Sequence, residues 1–251
     1  MKWILRFFPR SMLIRMSLFF QPLLRIYFKG SKFIDPIDGS VYRKFLPYGY
    51  GKTLRPNALC PGTLSLERHR LLWLYLDRET NFLNQNLKVL HVAPEQVFYW
   101  KFKQFKHWDY TTTDLYSPLA DVVADICYLP FQDNQYDLIL CNHVLEHIPN
   151  DLRAMTELYR VLKKGGTLIA QVPLNEESTK TLEDDSITNP RDRNKFFGQY
   201  DHVRLYGQDY YKRLKSVGFS VEGVFLQSQL TIEEIKRYVL PQEEKIPVMR
   251  K

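Results

Sequence analysis

Between residues 89 and 173 the chain alternates short apolar runs with strand-end acids and one helical stretch, and this order constrains the fold more than any other feature. The runs cover 89–95, 110–114, 125–131, 136–148 and 158–173. Short apolar runs separated by helical segments form βαβ units, and such units build a parallel sheet. Ligands of these sheets bind outside the carboxyl ends of the strands. Asp114 closes the second run, 21 residues after Ala93. That is about the ~20-residue interval at which an acid meets ribose hydroxyls in nucleotide-binding units. Asp125 closes the third run, where a carboxylate and the next backbone amide can meet an adenine edge. One strand-end Asp reads equally well as a loop acid or a helix cap. Two in register with the strands favour a nucleotide-like ligand.

The first loop departs from that pattern. Nucleotide-binding loops usually carry glycines for the tight turn and for close backbone approach. His91-Val92-Ala93-Pro94-Glu95 has none. Ala93 is small enough for close approach, Pro94 supplies no N–H, and Glu95 can face an ammonium group. A degenerate, non-binding loop is the plain alternative. The fourth strand is expected over 136–141, which puts Asn142 and His143 at its carboxyl end. Glu146 and His147 are expected on the helix that follows, with His147 in a packing or hydrogen-bonding role. Cys141 follows Leu140 and reads as a buried, inert thiol.

The series resembles the class I S-adenosylmethionine-dependent methyltransferases, in their small-molecule, type 11-like branch, over roughly residues 87–225. The resemblance implies a Rossmann-like, doubly wound α/β fold with a mostly parallel seven-stranded sheet. It implies S-adenosylmethionine as cofactor, held by Val92, Ala93, Pro94, Glu95, Asp114, Leu115, Asp125, Ile126, Asn142 and His143. Relatives often carry an acid-His pair after the fifth strand, and Asp201-His202 resembles it. This pair closes a polar segment, 175–204, long enough to serve as a substrate lid. His202 is the first candidate for a general base and His143 the second, with Tyr200, Asp201 and Arg204 expected against the acceptor. The simpler role for His202 is to cap or orient the next helix. That helix reads as 210–217, stopped by Gly218. A strand over 219–226 and a last, antiparallel strand over 245–250 complete the sheet expected from relatives. Thr231 and Glu234 form a capping box for a short helix.

The amino-terminal segment has a different character. Residues 1–34 hold seven Lys or Arg and no acid, so the whole formal charge of +7 resides there. The other 217 residues balance 28 basic against 28 acidic side chains. Leu5, Phe8, Met12, Met16, Phe19, Leu23 and Ile26 recur at intervals of three and four, which is one helical stripe. The opposite face mixes Arg6, Arg10 and Arg25 with Trp3, Phe7 and Leu18. Pro9 and Pro22 are expected to break the helix. No apolar run reaches the ~18 residues of a spanning helix, and arginines interrupt any signal-peptide core. A basic amphipathic segment over 1–30 lying on an anionic membrane surface is expected. The alternative is docking on protein.

Residues 31–80 read as a worn zinc-ribbon-like hairpin plus a helix, and 81–251 as the methyltransferase domain. Cys in place of Asp35, Asp38 and Thr63 would join Cys60 in a four-thiolate site like that of related methyltransferases. Two carboxylates and one thiolate hold zinc poorly, so no metal is expected here. Phe33, Tyr42, Phe45 and Leu46 are expected to hold the hairpin by packing. Cys60, Cys127 and Cys141 form no disulfide framework, which points to a reducing, cytoplasmic setting.

The combined expectation is a methyltransferase acting on an O or N atom of a small or lipid- or sugar-linked acceptor, peripheral at the inner membrane face. RNA methylation is a second reading, but arginines interleaved with large apolar residues suit a membrane better than nucleic acid. A non-catalytic scaffold on a worn methyltransferase fold is a third.

Overall fold

The computed structural model describes residues 10–49 and 54–251. The expectations for Trp3, Leu5, Arg6, Phe7, Phe8 and Pro9 lie outside these residues. In chain order the elements are α1 (Arg10–Tyr27), β1 (Lys29–Ile34), β2 (Val41–Tyr42), β3 (Leu46–Tyr48), β4 (Arg55–Leu59), α2 (Glu67–Arg78), β5 (Leu87–Val92), α3 (Gln96–Phe102), β6 (Trp108–Asp114), β7 (Val122–Val123) and β8 (Tyr136–Cys141). They continue with α4 (Asp151–Val161), β9 (Leu162–Ile169), β10 (Leu182–Glu183), α5 (Pro190–Phe196), β11 (Arg204–Leu205), α6 (Tyr210–Val217), β12 (Ser220–Val224), α7 (Ile232–Tyr238) and β13 (Ile246–Arg250). They form two units, each discontinuous in sequence. One takes the chain up to Gln85 with Glu95–Gln104 and Phe225–Lys245; the other takes Asn86–Pro94, Phe105–Val224 and Ile246–Lys251.

The second unit holds a seven-stranded sheet in the order β12-β13-β9-β8-β5-β6-β7. The strands β9, β8, β5, β6 and β7 run parallel, and β13 runs antiparallel to both its neighbours. This is the mostly parallel, Rossmann-like sheet that the apolar runs imply. Strand β8 is buried along Leu138, Ile139, Leu140 and Cys141, as a strand covered on both faces must be. Ala154, Met155, Leu158 and Val161 of α4 and Tyr210 and Leu214 of α6 pack into the same core as Leu90, Ile139 and Leu168. Each fully buried Leu or Met contributes roughly 1.5–3 kcal/mol by leaving water. The Asn150 side chain caps α4 by accepting from the Arg153 amide, which satisfies one of the helix's orphan donors. Gly218 ends α6 at φ 118°, a conformation costly for any side chain.

In the first unit β1 pairs with β2 and β3 with β4, both antiparallel. Phe28, Tyr42, Phe45 and Cys60 form a small core, joined by Leu24, Phe33 and Leu46. Asp35 is fully buried and accepts from the Thr63 and Ser65 hydroxyls and the Ile37 amide. Beside it the Cys60 thiol is pushed up to about 12, first by burial and then by the Asp35 charge. Three of the four positions singled out in the sequence therefore converge, with a hydrogen bond tying Thr63 to Asp35. The fourth, Asp38, instead pairs with Arg25 at 2.8 Å.

Three local expectations are corrected. Pro22 lies inside α1 without ending it; a proline removes one backbone donor, and the helix continues for five residues beyond it to Tyr27. Glu146 and His147 lie on a 3-10 turn, Leu145–His147, and α4 starts four residues later. Strand β7 is only two residues long, so Asp125 lies two residues beyond it rather than at its tip.

Candidate functional site

At the carboxyl ends of the parallel strands the second unit gathers Val92, Ala93 and Pro94 after β5, Asp114 and Leu115 at β6, Asp125 and Ile126 past β7, and Asn142 and His143 after β8. The first loop keeps the geometry that glycine normally supplies. Ala93 has φ 48°, in the left-handed region, and its amide donates to the Thr113 carbonyl at 2.8 Å. A non-glycine residue held there costs on the order of 1–3 kcal/mol, and such strain persists where the surroundings over-determine it. Glu95 belongs to the other unit, where it precedes α3 with its carboxylate 3.9 Å from His69 Nε2.

Asp114 uses one oxygen locally. Its Oδ1 accepts from the Tyr116 and Ser117 amides, each at 2.6 Å, which fixes the loop and leaves Oδ2 for a ligand. Asp125 Oδ1 likewise accepts from the Cys127 amide at 2.8 Å, and Ile126 beside it is buried. Asn142 is buried, with Oδ1 accepting from the Gln171 amide while Nδ2 meets no acceptor. A buried donor without a partner costs about 1–3 kcal/mol, so Nδ2 is suited to a polar ligand group. One open carboxylate oxygen at Asp114, a left-handed Ala93 and an orphaned amide donor at Asn142 suit a nucleoside-bearing ligand.

A second group of residues lies beyond β8. His143 sits at φ 53° with Nδ1 3.3 Å from Glu146 Oε1. Glu146 is 1% exposed, and neither carboxylate oxygen meets a donor in hydrogen-bond geometry. Burial, the largest effect, pushes its carboxyl up, but His143, a backbone amide and His147 together outweigh it and the net shift is downward. His202 is buried, its Nδ1 is 3.0 Å from the Phe197 carbonyl, and Nε2 lies 4.0 Å from Glu146 Oε1. Burial lowers its pKa despite the nearby carboxylate, so the imidazole is neutral near pH 7. The structure thus brings together the two histidines expected to do chemistry, His143 and His202, around one carboxylate.

The expected acceptor residues lie in three settings. Tyr200 is exposed. Asp201 accepts from the Gln199 side chain at 2.9 Å and from His147 through its backbone carbonyl. Arg204 is buried, and its guanidinium donates to the Leu145, Ile148 and Pro149 carbonyls and to Glu183. With Arg213, Asp151 and Tyr206 this network fastens β10 and β11 to the start of α4. Glu146 is the residue that sequence reasoning missed. Its signal was the spacing His143-x-x-Glu146-His147 directly after a strand end.

The sheet order, its single antiparallel strand and the acids at the end of β6 and past β7 match the class I methyltransferase fold. Residues 85–170 match the family model described as a methyltransferase domain. S-adenosylmethionine is the methyl donor that it implies. An uncharacterized protein of Methanocaldococcus jannaschii is 49% identical over 57 residues, 23% of this chain and 24% of that protein. A demethylmenaquinone methyltransferase of Lactiplantibacillus plantarum is 45% identical over 42 residues, 17% of this chain and 18% of that one. The chain therefore matches a quarter or less of the length of these curated relatives. Among solved structures, the [4+2]-cyclase SpnF has a similar fold, with TM-score 0.51, 14% identity and 94% of each chain covered.

Proposed function

We propose that this protein transfers a methyl group from S-adenosylmethionine to an oxygen or nitrogen of a small or lipid- or sugar-linked acceptor at an anionic membrane surface. The observation that carries the donor half is the set of groups left open at the strand ends, Asp114 Oδ2 and Asn142 Nδ2, beside a left-handed Ala93. When bound, the cofactor supplies a methyl group already activated by its sulfonium. The chain's own task is then to align the acceptor and exclude water.

The proton is the remaining requirement for a hydroxyl acceptor. A hydroxyl that accepted the methyl group would have to give up its proton, and the chain would need a base placed to take it. Of the two candidates, His143 is the better placed in this reading. It stands at the end of β8, its Nε2 is buried and meets no hydrogen-bond partner, and Glu146 lies 3.3 Å from its Nδ1. A carboxylate there orients the imidazole and stabilises it once protonated, leaving Nε2 as the accepting atom. His202 is nearly enclosed and is offered a different part below.

The membrane half rests on α1. Ser17 accepts a hydrogen bond from Gln96, and Leu24 packs on the small core, so one face docks on the protein. Met12, Met16, Phe19, Leu23 and Ile26 lie exposed on the other face, with Arg15 and Arg25 also exposed. No helix among the described residues is long and apolar enough to cross a membrane. An apolar stripe flanked by arginines suits the interface between headgroups and acyl chains.

Calorimetry of the full chain with S-adenosylmethionine and with its demethylated product tests the donor reading. Binding at one equivalent supports it, and heat-silent mixing at millimolar ligand in a folded sample would overturn it.

A further inference from the structure

The Glu146 carboxylate is the most under-satisfied group among the described residues, and its neighbours present further acceptors to it. A buried ionised carboxylate is costly unless it is paired or binds a cation. Glu146 has His143 on one side, but in hydrogen-bond geometry neither oxygen is satisfied. On the other side stand two imidazoles whose tautomers are set by backbone carbonyls. His202 directs Nδ1 to the Phe197 carbonyl at 3.0 Å, and His147 directs Nδ1 to the Asp201 carbonyl at 3.2 Å. With those hydrogens donated outward, both Nε2 atoms carry lone pairs. His202 Nε2 then faces Glu146 Oε1 at 4.0 Å, acceptor against acceptor. The two rings meet edge to face with centroids 4.8 Å apart.

This is the arrangement that metal-ligating histidines adopt, one ring nitrogen donating to a carbonyl and the other presented to the ion. One ligand atom from each of Glu146, His147 and His202 falls within 4.8 Å of the others. The Glu146 carbonyl also accepts from the Val203 amide at 2.9 Å, which locks the turn and the loop that carry the set. His147 has 31% of its side chain exposed and gives an ion a way in, while Glu146 and His202 close the site from within.

We propose that Glu146, His147 and His202 bind one divalent transition-metal ion. Two imidazoles with one carboxylate favour zinc, iron or nickel over magnesium or calcium, which prefer all-oxygen sets. Three protein ligands leave a coordination position for a water or for an oxygen of a bound molecule. The site is separate from Asp35, Asp38, Cys60 and Thr63, where the sequence had suggested a lost metal, and it departs from the expectation of a metal-free chain. It stands whether or not the protein transfers methyl groups.

The test titrates the chelator-stripped full chain with Zn²⁺ alone, by calorimetry against a competing chelator. One equivalent should bind, Mg²⁺ should not compete, and Glu146→Gln and His202→Asn should each weaken binding at least tenfold. Cys60→Ala should leave it unchanged. No stoichiometric binding would overturn the proposal, as would equal affinity in both variants or loss of binding in Cys60→Ala. Should the two variants fail to fold, X-ray absorption at the zinc edge of the wild-type chain decides. A shell of nitrogen and oxygen at about 2.0–2.2 Å supports the site, and sulfur at about 2.3 Å sinks it.

Discussion

The Arg70 guanidinium donates to the Val239 carbonyl at 2.8 Å, across 169 residues of sequence. It also reaches the Tyr238, Ser65 and Ala58 carbonyls and the Ser65 hydroxyl, and it lies over the Phe45 ring. Arg70 is fully buried, so its stem and its charge are both held by the first unit. Arg70→Met should cost roughly 3–5 kcal/mol, because the Ser65, Ala58, Tyr238 and Val239 carbonyls lose their charged donor. Arg70→Lys should rescue little, since an ammonium cannot reproduce a planar fork of five donors. Denaturant unfolding measures both, and a loss below about 1 kcal/mol in Arg70→Met would refute this account.

Asp114→Ala should weaken binding of S-adenosylmethionine by roughly 1–3 kcal/mol, through loss of a charge-assisted partner for hydroxyls. The same change frees the Tyr116 and Ser117 amides. Asp114→Asn separates the two effects, because its carbonyl can still accept from those amides. Equal donor affinity in wild type and both variants would place the donor elsewhere.

A pH effect follows from Glu157. Its carboxylate accepts from Arg160 at 2.8 and 3.0 Å and from the Leu129 amide at 3.0 Å, and Arg160 holds its pKa below the usual range against the opposing effect of burial. A carboxyl depressed in the folded state contributes stability that is present above its unfolded value, about 4.3, and is lost as pH falls through its folded value. Wild-type stability should therefore drop on acidification from pH 5 by more than that of Glu157→Gln. The variant itself should be less stable at pH 7 by about 1.5–3 kcal/mol. Parallel pH profiles for the two proteins would show that Glu157 is not the source.

For the membrane surface, Phe19→Glu with Ile26→Glu in the full chain should abolish co-sedimentation with anionic vesicles. Wild-type binding should weaken as salt rises, since each basic residue near the surface contributes about 1 kcal/mol that ions screen. Binding to neutral vesicles of equal strength, or wild-type and double-variant chains alike in the pellet, would remove the basic face from the account.

For the chemistry, His143→Ala should lower turnover roughly 10²–10⁴-fold at saturating donor. A labelled-methyl screen of membrane extracts supplies the acceptor needed for this measurement. Turnover close to wild type would leave His143 without a proton to carry.

Most of the sheet could be read from the chain because buried parallel strands are written as continuous apolar runs, as in Tyr136–Cys141. The capping box of Thr231 with Glu234 and the stop at Gly218 were equally plain, each resting on contacts within a few residues. What the sequence hid was long-range satisfaction. Arg204 looked like an anion-binding side chain, yet its donors meet carbonyls more than fifty residues away. Glu146 looked like an ordinary helix acid, and only the fold shows His202, 56 positions later, turned toward it. Pro22 reads as a breaker because local rules count the lost hydrogen bond and not the packing of Leu24 on the far side of it.

The route of the chain between the two units carries a consequence for how the molecule is made. Among the described residues strand β12 pairs in the sheet with β13 alone, and residues 225–245 between them belong to the other unit. During synthesis the edge of the sheet stays open until residue 250 has left the ribosome, and the first unit likewise waits for α7 to bring the carbonyls that Arg70 needs. Neither unit is complete at residue 224, so a ribosome stalled there would hold two unfinished cores with apolar surface still exposed.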